Sequence, residues 1–333
     1  MNSYSRVRVG VVGATGYSGV ELIRRLAQHP QVDLRAAMGS GASEAKRVAA
    51  LKRIWDAPIE RLDIDRLATE TDAVFLAVPD TLSAEIGPAL AKRGPRVFDL
   101  SGAFRLRDRG ERQRWYPHSP DPDVEVTYGL TERYRAELGT GHAPLVACAG
   151  CYPTAAILAL QPLVACNLIQ PGVIVDAKSG VSGAGKTPSE RTHFSEVHGS
   201  MAAYGVFSHR HGAEIQQELG MDVTFVPHLV PLDRGILETI YVRLAPGVDA
   251  AALDRAYHAA YENAPFVRLT GSDLPEIKHV AHTNFCDIGW RVDRPGGQAV
   301  IVSCIDNLVK GAAGQAIQNF NVAYGFDETL GLQ

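Results

Sequence analysis

Through the first 150 positions, apolar residues fall in short runs closed by glycine- or proline-containing turns, and these runs alternate with stretches of helical period. Val7, Val9, Val11 and Val12 mark a buried strand over 6–12. Gly13-Ala14-Thr15-Gly16-Tyr17-Ser18-Gly19 follows directly, and then Val20, Leu22, Ile23 and Leu26 recur at helical spacing. Strand signals return at 32–38, 73–78, 96–100 and 145–148, with helices at 84–92 and 155–164. Strands alternating with helices predict an α/β fold whose first domain is a parallel sheet.

The second half changes character. Positions 173–176, 223–230, 235–244 and 300–305 read as strands, with 223–230 and 235–244 as strands of an antiparallel sheet broken by Pro231-Leu232-Asp233-Arg234. An amphipathic helix fits 250–261, and a last helix runs to about Tyr324. A chain of 333 residues exceeds what one small core serves, so two domains are expected.

A net charge of −4 argues against a nucleic-acid or anionic-membrane partner. No window approaches the roughly 18 apolar residues of a membrane span, and the first ten positions lack the apolar core of a signal peptide. Five cysteines without framework spacing suit a reducing compartment, and the expectation is cytoplasmic.

Strand, glycine turn and helix at 6–26 is the arrangement a dinucleotide pyrophosphate requires, since glycines admit the phosphates and a helix N-terminus offers amides. The spacing G-x-x-G-x-x-G is a variant of the usual pattern. The strand at 32–38 ends without the acidic residue that binds a ribose 2′-OH, and Gly39-Ser40-Gly41-Ala42-Ser43 with Lys46 and Arg47 favours NADP over NAD. Arg105, after the strand at 96–100, is either an anion clamp for substrate phosphate or a surface arginine paired with Asp108.

Cys151 stands in Ala-Gly-Cys-Tyr-Pro-Thr at 149–154, where a strand meets a helix, with Pro153 suited to the first turn. Amides and the positive dipole end at such a junction favour a thiolate and its attack on an electrophile. Cys148, three residues earlier, falls in the apolar strand and reads as core. Residues 180–187 fit a phosphate-loop pattern, but no periodic helix follows, and a glycine- and serine-rich loop lining the site suits the context better. His209-Arg210-His211 offers a general acid/base beside an anion site, with Glu214 able to orient an imidazole, and the spacing matches no common zinc signature.

Taken together, Gly-Ala-Thr-Gly-Tyr-Ser-Gly at 13–19, Asp-Leu-Ser-Gly-Ala-Phe-Arg-Leu at 99–106, Tyr-Gly-Leu-Thr-Glu at 128–132, Gly-Cys-Tyr-Pro-Thr at 150–154, Ser-Gly-Val-Ser-Gly-Ala-Gly at 179–185, His-Arg-His at 209–211, Pro-His-Leu-Val-Pro at 227–231 and Asp-Asn-Leu-Val-Lys-Gly-Ala-Ala-Gly-Gln-Ala at 306–316 resemble one family in order along nearly the whole chain. It is that of the N-acetyl-γ-glutamyl-phosphate reductases, the arginine-biosynthesis members of the aspartate-semialdehyde dehydrogenase superfamily. The resemblance implies a Rossmann NADP-binding domain at 1–150 completed by a C-terminal helix at 311–333, and a catalytic α+β domain at 151–310 with a mixed sheet that mediates homo-oligomerisation. It implies Cys151 as nucleophile forming a thioacyl intermediate from an acyl phosphate, NADPH as hydride source, and His209 as acid/base with His211 as rival. Arg105, Arg210 and His211 are the expected substrate contacts. Gly13, Thr15, Gly16, Tyr17, Ser18, Gly19, Ser40, Ser179, Gly180, Ser182, Gly183 and Asn307 are the expected cofactor contacts, and no metal is expected.

Two departures from the family pattern stand out. Ala149 replaces a usual proline, which loosens the turn, and Gly212-Ala213 replaces Thr-Pro after His-Arg-His. The alternatives are the same reduction on an α-aminoadipyl phosphate and a non-catalytic NADP-binding protein.

Overall fold

The computed structural model describes residues 6–41, 47–140 and 143–333. Two compact units divide the chain: one runs up to Ala149 and includes Ala312–Gln333, the other is Gly150–Gly311. No helix among the described residues is long and apolar enough to cross a membrane.

The first unit holds a sheet of six parallel strands: β1 (Val7–Val12), β2 (Val32–Met38), β3 (Ala73–Leu76), β4 (Arg96–Asp99), β5 (Val126–Gly129) and β6 (Leu145–Cys148), in the order β2-β1-β3-β4-β6-β5. β2 pairs on one side of β1 and β3 on the other, so the order reverses there and opens a crevice at the strands' carboxyl ends. Phe75 and Phe98 lie opposite one another on β3 and β4 and stack at 5.0 Å. Phe320, from the helix Gly314–Ala323, meets each of them at 5.7 Å. That helix buries polar side chains as well: Asn319 donates to the Gly129 carbonyl at 3.0 Å, and Asn321 to the Glu328 and Leu330 carbonyls. Pairing each such group is what makes its burial tolerable.

The second unit holds a mixed sheet of seven strands: β7 (Val173–Gly180), β8 (Ala202–Ala203), β9 (Val223–Val230), β10 (Ile236–Arg243), β11 (Val267–Gly271), β12 (Cys286–Val292) and β13 (Gln298–Ile305), ordered β11-β12-β13-β10-β7-β9-β8. β9 and β10 are therefore not a hairpin. β7 lies between them, parallel to β9 and antiparallel to β10, which corrects the antiparallel reading of 223–244.

The helix Cys151–Ala165 is apolar on every side and is buried accordingly, against β10, β13 and the helix Ala250–Tyr261. Pro162 inside it has no N–H to give the carbonyl of Leu158 one turn back. The hydroxyl of Tyr261 donates to that carbonyl at 2.5 Å instead, and Tyr257 serves Ala159 at 2.7 Å. A proline that would otherwise break the helix is thus accommodated by the neighbouring one. A helix start also moves relative to the sequence pattern: this one begins at Cys151 and not at 155.

Glu238 on β10 sits on the covered face of the sheet, between Ala177 and Ser303, fully buried, and neither carboxyl oxygen has a hydrogen-bond partner among the described residues. Burial holds its pKa well above the usual carboxylate value, with Lys178 opposing. A carboxyl of raised folded-state pKa loses stability for the fold as pH climbs from its unfolded value toward its folded one. Glu238→Met is therefore expected to stabilise the protein by about 1–3 kcal/mol, with a larger gain at pH 8 than at pH 5. Chemical denaturation at both pH values checks this, and a variant no more stable than the parent at pH 8 contradicts it.

Candidate active site

The glycine turn of the first unit is built for close approach. Gly13 has φ of +86°, donates its amide to the Met38 carbonyl at 2.8 Å, and leaves no room for a side chain, since a Cβ there would stand 2.1 Å from the Ala77 carbonyl oxygen. A Cβ at Gly19 would stand 2.2 Å from the Gly13 carbonyl oxygen. The helix Tyr17–Leu26 starts from Gly16 with no side-chain cap and no acidic residue in its first turn. Its terminal amides lack any acceptor from a capping side chain, and an anion is the partner such an end favours. Thr15 and Ser18 are half-buried beside it, and Tyr17 is exposed.

At the end of β2, Ser40 is exposed and no acidic residue ends the strand. Lys46, with Ala42 and Ser43, lies outside the described residues, while Arg47 is exposed. A cavity of about 500 Å³ opens beside Met38, lined by Glu60, Arg61, Asp63 and Arg66 among others. These residues carried no motif that would have singled them out in the sequence.

Arg105 also belongs to the first unit. It is buried, its Nε donating to the Cys148 carbonyl at 2.8 Å and its Nη2 to the Leu100 carbonyl at 2.7 Å. The surface pairing with Asp108 is thereby overturned, because Asp108 caps the helix Arg109–Trp115 through the Glu111 amide and Arg105 points inward. Ala149 keeps the amide a proline would lack and donates it to the Gly129 carbonyl at 3.1 Å, so the turn it begins is tied by a bond.

In the second unit, Cys151 is the first residue of its helix and is half-buried. Gly150 caps that helix without a side chain, and no acidic residue stands in the first turn. The Gly150 amide donates to Glu214 Oε1 at 2.9 Å, and Glu214 is itself buried. Glu214 thus fixes the turn carrying the thiol, a role that the sequence pattern, which offered it as an imidazole partner, did not reveal. Gly311 packs on the cysteine from another side, since a Cβ there would fall 2.7 Å from Cys151 Cβ.

His209 caps the helix Arg210–Leu219, its Nδ1 accepting the His211 amide at 3.1 Å. Its ring is enclosed edge-on by Tyr152, Tyr204, His211 and Phe225, with centroids 4.8 to 5.9 Å away. Burial, and after it the charge of Arg210, lower its pKa to about 4. The imidazole is therefore neutral at physiological pH and able to accept a proton. The Tyr152 and Tyr204 hydroxyls meet at 3.2 Å, and burial raises the pKa of both, with negative charge on Cys151 a further cause in each case. The charge of Cys151 thus acts on both phenols, whose rings also pack against the imidazole. The two tyrosines had no place among the sequence-derived site residues, although Tyr152 lay within the quoted Gly-Cys-Tyr-Pro-Thr.

Ser179, Gly180, Ser182, Gly183 and Asn307 gather at one corner where β7 ends. Asn307 donates to Ser182 Oγ at 2.9 Å and accepts the Gly235 amide at 2.7 Å. A Cβ at Gly183 would lie 2.8 Å from Ser179 Oγ, and one at Gly180 would strike the backbone of Arg234. No helix opens directly at Lys186, as a phosphate loop requires; a single turn at Val181–Ala184 precedes it, and only short helical turns at Glu190–Thr192 and Phe194–Val197 follow. Arg210 is exposed and His211 half-buried.

Comparison with known proteins gives this arrangement a family. Residues 8–140 match the family described as semialdehyde dehydrogenase, NAD binding domain, and residues 151–307 that described as semialdehyde dehydrogenase, dimerisation domain. The N-acetyl-gamma-glutamyl-phosphate reductase of Shouchella clausii is 44% identical over 340 residues, covering 98% of each chain, and that of Geobacter metallireducens is 45% identical over 342 residues with the same coverage. Among solved structures, aspartate semialdehyde dehydrogenase II of Vibrio cholerae shares the fold with a TM-score of 0.72 at 18% identity, over 97% of this chain and 99% of that one. The Candida albicans aspartate semialdehyde dehydrogenase with NADP has a TM-score of 0.70 at 16% identity, over 96% and 99%. With a nicotinamide-dinucleotide domain, a dimerisation domain and relatives of this identity along its whole length, the chain belongs to the N-acetyl-gamma-glutamyl-phosphate reductases, oxidoreductases of the semialdehyde dehydrogenase family.

Proposed function

We propose that this chain reduces N-acetyl-L-glutamyl 5-phosphate to N-acetyl-L-glutamate 5-semialdehyde, releasing inorganic phosphate, as a step of arginine biosynthesis. The acyl chain is inferred from the relatives' name. The observation that carries the chemistry is Cys151 at the uncapped start of a buried helix, with Tyr152 and Tyr204, on which its charge acts, packed against His209.

In this proposal the Cys151 sulfur attacks the acyl carbon, the carbon–oxygen bond to phosphate breaks, and a thioester remains on the cysteine. The Cys151 and Tyr152 amides, at the uncapped start of the helix, face the developing oxyanion; Pro153 has no N–H and the Thr154 amide is spent on the Gly150 carbonyl. NADPH, when bound, supplies the hydride that takes the thioester to the aldehyde level. His209 accepts the hydroxyl proton of the thiohemiacetal as the carbon–oxygen double bond of the aldehyde forms, the carbon–sulfur bond breaks and the thiolate is restored. Arg105, Arg210 and His211 are assigned to the anionic groups of the substrate.

The cofactor is assigned to Gly13, Thr15, Gly16, Tyr17, Ser18, Gly19 and Ser40 in the first unit and to Ser179, Gly180, Ser182, Gly183 and Asn307 in the second. NADP is preferred over NAD because β2 ends at Met38 and is followed by Gly39 and Ser40, with no carboxylate at that position to repel a 2′-phosphate. The first unit with its C-terminal helix is the nucleotide-binding domain and the second the catalytic, dimerising one. Five free cysteines suit a reducing compartment, and the cytoplasm is the proposed location.

The test runs the reaction backwards. NADP-dependent oxidation of N-acetylglutamate 5-semialdehyde should require inorganic phosphate and outrun both oxidation of aspartate semialdehyde and the same reaction with NAD. Oxidation that proceeds equally without phosphate, or faster with aspartate semialdehyde, contradicts the proposal.

A further inference from the structure

Met38, the last residue of β2, is held from two sides. Its carbonyl accepts the amides of Gly13 and Ala14, at 2.8 and 3.0 Å, so the glycine turn is pinned to the end of the strand. On the other side, Met38 and Glu60 form an isolated parallel bridge, the Gly39 amide donates to the Glu60 carbonyl at 2.8 Å, and the Asp63 amide reaches Met38 Sδ at 3.3 Å. Residues 60–66 thus flank the end of β2, the place at which a fold of this kind reads the 2′ position of the adenosine ribose. The cavity of about 500 Å³ beside Met38 opens there.

The charged side chains lining that cavity are, with one exception, already engaged. Arg66 pairs with Glu60 and, at 2.9 Å, with Glu70. Asp65 pairs with Arg93 at 2.7 Å. Asp63 caps the helix Ile64–Glu70 by accepting the Arg66 amide at 2.9 Å. The exception is Arg61, which is exposed and has no acidic partner among the described residues. Arg47, which the sequence offers with Lys46 for a 2′-phosphate, does not line the cavity.

We propose that Arg61 selects NADP over NAD, its guanidinium binding the 2′-phosphate at the cavity beside Met38. The inference rests on the proposal that the cofactor is NADP, and it names the residue that makes it so. A planar guanidinium matches a phosphate with two parallel N–H donors, and such charge-assisted bonds are about twice as strong as those to a neutral group. The 2′-hydroxyl of NAD therefore gains little from Arg61. Without it, a 2′-phosphate would meet the carboxylates of Glu60, Asp63 and Asp65, and Arg66, whose charge Glu60 and Glu70 already offset.

Titration of the full chain with NADPH and with NADH, which differ only in the 2′-phosphate, reads this through nucleotide fluorescence and without turnover. Wild type should bind NADPH at least about tenfold more tightly than NADH. Arg61→Gln should weaken NADPH about ten- to a hundredfold and leave NADH as it was, while Arg61→Lys should keep part of the preference. Displacement by adenosine 2′,5′-bisphosphate should weaken in parallel in Arg61→Gln, and displacement by adenosine 5′-monophosphate should not. In the assay, KM should rise for NADPH and not for NADH. A wild type that binds the two nucleotides equally overturns the choice of NADP and the role of Arg61 with it. A wild type that prefers NADPH while Arg61→Gln keeps that preference overturns the assignment of Arg61 alone. Equal weakening of both nucleotides in Arg61→Gln does the same, as does loss of the preference in Arg47→Gln but not in Arg61→Gln.

Discussion

Cys151→Ala is expected to lower turnover by about four orders of magnitude while leaving NADPH binding and thermal stability close to wild type. No other thiol can stand in. Cys148 is fully buried on β6, where burial pushes its pKa up to about 12. Cys286 and Cys304 are buried within β12 and β13, and Cys166 follows the far end of the helix that Cys151 begins. Alanine fits the position because it is smaller than cysteine and a good helix former, so the loss is chemical and not structural. Cys151→Ser should fail nearly as badly, as a hydroxyl in the same place is far less ionised. Steady-state assay of both variants, with nucleotide binding as the folding control, checks the result.

The second large effect belongs to His209. His209→Asn is expected to cost about 10²- to 10⁴-fold in turnover, and asparagine is the informative choice because it is a good helix N-cap. The cap on Arg210–Leu219 then survives while the proton acceptor is lost. His211→Asn should retain most turnover if His209 alone carries the proton, and the reverse ranking would transfer the role to His211. The pH dependence follows from the lowered pKa of about 4. Between an unfolded-state value near 6.5 and that folded value the unfolded chain binds more protons, so His209 contributes stability above about 6.5 that is lost as pH falls toward 4. The acid limb of kcat/KM should accordingly lie well below pH 6.5, and its absence in His209→Asn, measured against wild type, identifies the group.

Much of this was legible in the chain itself, for physical reasons. β1, its glycine turn and the following helix announce themselves because a buried parallel strand is continuously apolar and only glycine tolerates the turn at Gly13. Cys151 was legible because a strand ends and a helix begins around it. Pairing was not, because an apolar run shows that a strand exists but not which strand lies beside it. β7 lies between β9 and β10 although β9 and β10 are the closer pair in sequence.

Long-range polar contacts were equally hidden. Nothing near Glu214 indicates that it accepts the Gly150 amide 64 positions away, or that Tyr261 serves a carbonyl orphaned by Pro162. Tyr204 carries no motif, and only packing sets it between Tyr152 and His209. Arg105 illustrates the difference in one residue: its position after a strand end was readable, while its burial and its bonds to two carbonyls depend on the folded sheet.

The covalent role of Cys151 can be measured directly. Wild type is mixed with N-acetylglutamyl phosphate in the absence of NADPH, quenched in acid, and its intact mass and peptides are read by mass spectrometry. An N-acetylglutamyl group on the peptide containing Cys151, formed with release of phosphate and discharged when NADPH is added before the quench, is the result expected. An enzyme that turns over fully but carries no acyl group under these conditions, or carries it on a different residue, would contradict the account.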